Sequence, residues 1–398
     1  MSFSMRQPFW VPKSQPGAWT FSALYFLESV TRASVATVIP LQAYQLFGSK
    51  EAVSLVYTAV AMAALCFSFA IPFLIMRLSR RWTYTLGAVM SALCAAMLTL
   101  GFEVTQVLTM FLRTTGAAVL NVTLALYIMD NIHKQQLVRS EPLRFAVATL
   151  AWGTFPFIGI WLFETYGIWA PALLSVGAAV SLLTLFWVLR LIEKGPIRAG
   201  AMKPPNPLRF FGRFASQPRL RLAWLIAFGR SSFWVTFFIY GPILMVEGGY
   251  GPQAGGLVVA LGNLMLFVNM FVGRVAKRFS IRLVLAGSLF LSAALVILVG
   301  LLGAEHALLA GTAFVAAALF ASVLDGLGPV PFLRAVHSHE RPQMTTVYRT
   351  YLDASELIPP LIYFFMFQWF GFSGAFWALA IGMSGIGWLV WRYLPTRL

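Results

Sequence analysis

The sequence predicts an all-α membrane protein with twelve transmembrane helices in two pseudo-symmetric six-helix bundles. Three observations predict it: apolar runs of membrane-spanning length from end to end, basic residues confined to alternate loops, and short matches between the halves at a nearly constant offset. Of the 398 residues, 59% are hydrophobic and 11% charged, whereas soluble domains carry about 25% charged residues. About 18 or more apolar residues suffice for a helix to cross a bilayer. Only helices and closed barrels satisfy their backbone groups in lipid, and these runs lack the alternating polarity of barrel strands.

The expected helices span 19–47, 53–76, 82–102, 105–131, 145–165, 169–190, 221–246, 253–275, 281–302, 308–335, 348–370 and 373–394. The first sixteen residues are polar and contain Arg6, Lys13 and three prolines. The run after them carries Glu28 and Arg32 and ends in no small-residue cleavage site, so it reads as a retained helix and not a signal peptide. The longest polar break, 190–220, holds seven basic residues and prolines at 196, 204, 205, 207 and 218. It is expected as a linker over 191–220 between an N-terminal bundle, 1–190, and a C-terminal bundle, 221–398.

The net charge of +16 is explained by orientation. Arg32, Arg113 and Arg230 fall inside helices, and Lys50 falls in one set of loops. All the other Lys and Arg lie in the opposite set, the tails and the linker. The Lys50 side carries Glu51, Glu103, Glu164, Glu247 and Glu305. This is the positive-inside pattern of a bacterial inner-membrane protein with both termini in the cytoplasm. It excludes the nucleic-acid partner that a basic chain otherwise invites. Cys66 and Cys94 lie in apolar runs and form no CxxC motif, so neither a disulfide framework nor a metal site is expected. His337-Ser338-His339-Glu340 is one cluster in a solvated loop, too little for a metal site. No cofactor is expected, and the absence of GxxxxGK[ST] excludes ATP as the energy source.

The halves repeat. Arg77-Leu78-Ser79-Arg80 after helix 2 matches Arg278-Phe279-Ser280-Ile281 after helix 8 at an offset of 201. Pro40 matches Pro242 at 202, and Phe163 through Gly167 matches Phe367 through Gly371 at 204. On these residues the chain resembles the major facilitator superfamily over nearly its full length. That family's loop signature after helix 2 reads GxLaDrxGrr. Arg77, Arg80 and Arg81 are kept here, while Pro72, Met76 and Ser79 replace the first glycine, the aspartate and the second glycine. The second copy keeps Gly273, Arg278 and Arg282, with Lys277 in the aspartate position. Arg113-Thr114-Thr115-Gly116 is similar to the family's RxxxG motif, one residue short. Gly153-Thr154-Phe155-Pro156-Phe157-Ile158-Gly159 is similar to the GPxxGG run of proton-driven exporters, without two of its glycines. The resemblance implies a secondary transporter, working as a monomer by rocking one half against the other around a central site. It also implies that helices 1, 4, 7 and 10 line that site.

Charges within the membrane cost about 2.5–3.5 kcal/mol each on insertion scales and normally face a partner or a wet path. The deep ones are Glu28, Arg32, Arg113, Arg230 and Asp325, on the four helices just named. Glu28 and Arg32, four apart, share a helix face, with Tyr25 one turn earlier. Glu28 and Arg230 each lie nine residues into their helices, about 14 Å at 1.5 Å per residue, near the middle of a core about 30 Å thick. The repeat aligns them, so they are expected to face each other. Glu28, Arg32, Arg113, Arg230 and Asp325, with Tyr25, Asn121 and Asn263, form the expected substrate and proton-coupling site. A static ion-pair network holding helices together is the competing explanation. The run from Asp325 to Pro331 is expected to interrupt helix 10.

Arg77, Arg81, Arg278, Asp130, Asp353 and Glu356 are the expected cytoplasmic gate. Trp152 and Trp234 are deep and read as core packing or as stacking surfaces. The excess of deep cations favours an anionic or zwitterionic solute, because arginine chelates carboxylate or phosphate through two hydrogen bonds. The expected function is therefore proton-coupled transport of a small organic solute, anionic or amphiphilic, with the helix-5 run leaning it toward export. Uptake by symport, lipid flipping, and a transport-inactive receptor or assembly factor are the alternatives. No constellation of an enzyme is visible.

Overall fold

A computed structural model of the chain describes residues 18–131, 134–189, 207–336 and 341–395. Among these residues there are helices and no strand. The first half holds α1 (Ala18–Ala33), α2 (Val38–Phe47), α3 (Lys50–Ser68), α4 (Ile71–Leu98), α5 (Glu103–Asn131), α6 (Lys134–Tyr166) and α7 (Trp169–Leu189). A short α8 (Pro207–Ser216) precedes α9 (Pro218–Glu247), α10 (Pro252–Leu264), α11 (Asn269–Phe279), α12 (Ile281–Leu302), α13 (Ala307–Leu327), α14 (Pro329–Ala335), α15 (Arg341–Tyr348), α16 (Thr350–Phe370) and α17 (Ser373–Tyr393). A 3₁₀ turn over Met265–Val268 joins α10 to α11.

Nine helical stretches among the described residues are long and apolar enough to cross a membrane. The three other expected spans are broken or charged. The first, expected unbroken over 19–47, is interrupted at residues 34–37 between α1 and α2. There the Ser34 hydroxyl donates to the Val30 carbonyl at 2.6 Å. The third lies in α4, where Ser79 leaves helical geometry (φ 68, ψ 161). The eleventh, α16, carries Asp353 and Glu356 near its start and Pro359 and Pro360 inside.

Ser79 is mirrored by Ser280 (φ 75, ψ 146), and among the described residues these are the non-glycine positions with positive φ. They are the two repeat-related serines, and the family signature has glycine at the first. Gly167 and Gly371, the ends of another repeat match, also share positive φ. Their amides donate to Phe163 and Phe367 carbonyls at 2.9 and 3.1 Å. The repeat legible in the sequence is therefore written in the backbone as well, at residues that stop a helix.

Part of the expected linker is structured. In α8, Phe214 is buried against Leu220, Ala223, Phe332, Met344 and Val347, while Phe211 and Arg213 are exposed. A ten-residue segment with an aromatic face and a basic face has reason to lie along a bundle as a helix. The following helix begins at Pro218, three residues before the expected start, because proline is suited to the first helical turn. The expected break in helix 10 falls on Gly328, yet Gly328 keeps helical angles (φ −55, ψ −38). Pro329 lacks an N–H, so the ladder skips a bond while the helix path continues.

The first and second sets of helices meet at the ends that carry the acidic loops. Glu247 accepts from Lys50 Nζ and from Tyr44 Oη, each at 3.0 Å. The Ser54 and Tyr240 hydroxyls lie 2.6 Å apart, and the Lys50 ammonium sits 5.4 Å from the Phe372 ring centroid. Lower down, α6 packs along α10 and α3 along α16. Gly159 lets α6 approach the broken end of α1, since a Cβ there would strike the Ser34 carbonyl. Gly256 likewise admits the Ile160 side chain. A Cβ on Gly153 would meet the Leu264 side chain, so both glycines of the helix-5 run, Gly153 and Gly159, have a packing role.

Candidate functional site

Between the two sets of helices lies a cavity of about 410 Å³. Its charged lining is Arg32 (α1), Arg113 (α5), Asp325 (α13) and Glu356 (α16); Tyr25, Tyr57, Trp152, Trp234, Phe238 and Asn263 belong to its polar and aromatic wall.

Of the residues expected at the site, Tyr25, Arg32, Arg113, Asn263 and Asp325 line this cavity. Glu28 stands behind it: the residue is 1% exposed and lies 3.6 Å from Arg32 in an ion pair one helical turn long. Arg230 also stands behind the wall. Its Nη1 donates to Asp325 Oδ1 at 2.7 Å and its Nη2 to Tyr351 Oη at 3.2 Å. The expected facing of Glu28 and Arg230 is replaced by one pair within each half, because each arginine finds a carboxylate on its own side. Asn121 is off the cavity, eight residues beyond Arg113 and so about 12 Å along the helix. Asn263 lines it, but its amide donates to the Val259 carbonyl of its own helix at 2.9 Å.

Glu356, expected at the gate, lines the cavity and is exposed into it. This corrects its expected place. From the expected helix start at 348, Glu356 is eight residues in, about 12 Å at the helical rise, nearly as deep as Glu28. Among the other gate residues, the Arg77 guanidinium lies 4.9 Å from the Phe73 ring centroid, Arg81 5.7 Å from Trp187, and Arg278 5.4 Å from Phe279. Each of these contacts is within its own half. Asp353 is half-buried at the start of α16, and the side chain of Asp130 lies outside the described residues. His337, His339 and Glu340 also lie outside them. Among the described residues, no group of three His, Cys, Asp or Glu is placed to hold a metal.

The electrostatics are uneven. Asp325 is fully satisfied, with Arg230 on Oδ1 and the Trp234 indole donating to Oδ2 at 2.9 Å. Arg32 has Glu28, and its guanidinium lies 5.7 Å from the Trp152 ring centroid. Arg113 differs. Among the described residues no ion pair or hydrogen bond reaches its side chain, and its Nε is buried without an acceptor. A cation in that position needs an anion or ordered water. The aromatic wall bridges the halves, with Trp152 and Phe238 rings 5.3 Å apart at 61°.

One lining residue, Tyr57, has no signal in the sequence. It carries no charge and sits in an apolar run, so nothing in composition marks it. Trp152 and Trp234 were visible as deep tryptophans, and a buried indole N–H generally has a partner; the Asp325 carboxylate is that partner for Trp234.

Solved structures share this fold. A peptide transporter of the POT family in complex with sulfate superposes with a TM-score of 0.75 at 13% identity, covering 97% of this chain and 96% of that one. A D-xylose-proton symporter gives 0.71 at 10% identity, with 95% and 97% covered. The nucleoside transporter NupG gives 0.68 at 12% identity, with 94% and 99% covered. At such identities the likeness is one of fold. No curated protein matches the sequence. The Major Facilitator Superfamily profile, in contrast, matches residues 21–358, from the helix that carries Glu28 and Arg32 through the one that brings Glu356 to the cavity. The chain belongs to the major facilitator superfamily of membrane transporters.

Proposed function

We propose that this transporter is a proton-coupled secondary carrier for a small organic solute with an anionic group and an apolar or aromatic body. It crosses a bacterial inner membrane twelve times with both termini in the cytoplasm. As a monomer it rocks residues 1–190 against 221–398 about the central cavity, with 191–220 as the linker. The observation that carries this reading is Arg113, a shielded cation that no ion pair or hydrogen bond reaches among the described residues, in a cavity that also holds Arg32. An anionic group on the solute supplies what Arg113 lacks, and Trp152, Trp234 and Phe238 offer its body a flat apolar wall.

Glu28 and Asp325 each hold an arginine by a carboxylate, so a proton on either one loosens that arginine. Glu356 faces the same cavity as Arg32 and Arg113. A proton there removes a negative charge from the path of an anion, so proton and solute enter together. That placement favours symport. Export is the second reading, and the Gly153–Gly159 run is the observation that favours it.

The test starts from a thermal-shift screen of the purified protein against carboxylates and phosphates at two pH values. The ligand found is then used in counterflow and in proton-driven transport by reconstituted liposomes. Arg113→Ala should weaken binding about 30- to 4,000-fold, the usual cost of removing one partner from a buried charge pair. Saturable binding unchanged in Arg113→Ala would overturn the reading of the cavity. Glu356→Gln should exchange solute yet fail to accumulate it on a proton gradient. Proton-driven transport retained in Glu28→Gln, Asp325→Asn and Glu356→Gln alike would refute proton coupling through these groups. A pH indicator in the lumen of everted vesicles reads direction. Efflux into the medium with lumenal alkalinisation means symport, and lumenal acidification means antiport. Absence of counterflow would point to a receptor or assembly factor.

A further inference from the structure

On the side of the basic loops, a groove of about 960 Å³ opens where α8 ends and α9 begins, beside α14 and the last turn of α17. Three arginines line it: Arg219, Arg221 and Arg334. All three are exposed, and its lining contains neither Asp nor Glu. Among the described residues none of the three arginines has an ion pair or a side-chain hydrogen bond. Three like charges converging without a counter-charge repel one another unless an anion lies between them, and arginine matches phosphate through paired N–H donors.

The rest of the lining identifies the kind of anion. Leu222, Leu225 and Leu389 form an apolar wall, while Tyr393 at the groove and Trp388 and Trp391 beside it are exposed. Exposed Trp and Tyr at a helix end mark the boundary between membrane and water. A fourth arginine, Arg282, stands 5.2 Å from the Trp391 ring centroid. Inorganic phosphate or a nucleotide would engage the arginines and leave the leucines bare, whereas a phospholipid engages both. Basic pockets between transmembrane helices near the membrane surface suit acidic headgroups. We propose that this groove binds an anionic phospholipid, with its phosphodiester among Arg219, Arg221 and Arg334 and its acyl chain along Leu222, Leu225 and Leu389. The site is separate from the central cavity, and the proposal does not depend on which solute is carried.

The experiment compares phosphatidylglycerol with phosphatidylcholine, each added to delipidated protein in detergent, by native mass spectrometry and by melting temperature. Wild-type protein should retain phosphatidylglycerol at least tenfold better and melt higher with it. The Arg219→Gln, Arg334→Gln double variant should lose that preference and match wild type in phosphatidylcholine. Leu389→Trp, which fills the apolar wall and keeps every arginine, should lose it too, so the proposal stays testable if the double variant does not fold. Equal retention of the two lipids by wild type would overturn it. So would a preference that survives in the double variant, or a melting shift reproduced in full by inorganic phosphate.

Discussion

Replacing Lys50 by alanine should open the acidic-loop side of the transporter. The Lys50 ammonium lies 3.0 Å from Glu247 Oε1, and the two side chains are 21% and 16% exposed. At that separation the Coulomb attraction is about 5–6 kcal/mol for an effective dielectric of 20. Desolvation and side-chain ordering remove most of it. Exposed pairs retain about 0.2–1 kcal/mol, and breaking a buried pair costs about 3–5 kcal/mol. This pair lies between those limits, nearer the exposed one, at about 1–2 kcal/mol. Tyr44 still donates to Glu247, and Ser54 still meets Tyr240, so the seal weakens without disappearing. At 1.4 kcal/mol per factor of ten, the open population should rise about 5- to 30-fold. Val235→Cys, on the cavity wall, in a background with Cys66 and Cys94 replaced, reports it through its labelling rate by an impermeant maleimide added outside whole cells. Lys50→Ala should raise that rate by the stated factor, and the charge swap Lys50→Glu with Glu247→Lys should bring it back. An unchanged rate in Lys50→Ala, or a swap as leaky as the single variant, would refute the assignment of this pair as a latch between the halves.

Ser280→Gly should stabilise the protein. Its backbone (φ 75, ψ 146) borders a region nearly confined to glycine that costs about 1–3 kcal/mol. The lost cap to the Leu283 amide, a long contact at 3.4 Å, costs a few tenths of a kcal/mol, and glycine's added chain entropy about 0.5–1 kcal/mol. The balance is about 0.5–1.5 kcal/mol, read as a melting temperature raised by roughly 1–3 °C; a fall would contradict the strained geometry. Gly159→Ala should destabilise by about 1–3 kcal/mol, because the Ser34 carbonyl in its way is backbone. Gly177→Ala, with open space around its Cβ, is the control, and equal melting of the two variants would remove the close approach of α6 to α1.

What could be read from the sequence divides along physical lines. The apolar runs, the alternating basic loops and the repeat all follow from the cost of exposing backbone or charge to lipid. That cost is set by composition and so is visible in it. The deep charges were visible for the same reason, and Arg32, Arg113 and Asp325 do line the cavity. Which charge faces the cavity and which stands behind it depends on rotation about each helix axis and on breaks such as residues 34–37. Composition sets neither, so Glu28 and Arg230 were placed one layer too far forward. Tyr57 left no signal, since a tyrosine in an apolar run is equally at home at an interface.

Glu356 shows a different limit. Eight residues into its expected helix it lies nearly as deep as Glu28, and its closeness to the helix start masks that depth in the sequence. Placing it in the cavity changes the chemistry there. Glu28, behind the wall, and Asp325, in it, each sit beside a basic partner within their own half. Inside the cavity, Arg113 has no such partner among the described residues and Glu356 is exposed to the same space. Paired charges can hold helices together without any cargo, as the competing explanation of the sequence required. An arginine that no ion pair reaches among the described residues, sharing a cavity with an exposed carboxylate, is not explained by static pairing within either half. It is the arrangement expected where an anion and a proton come and go.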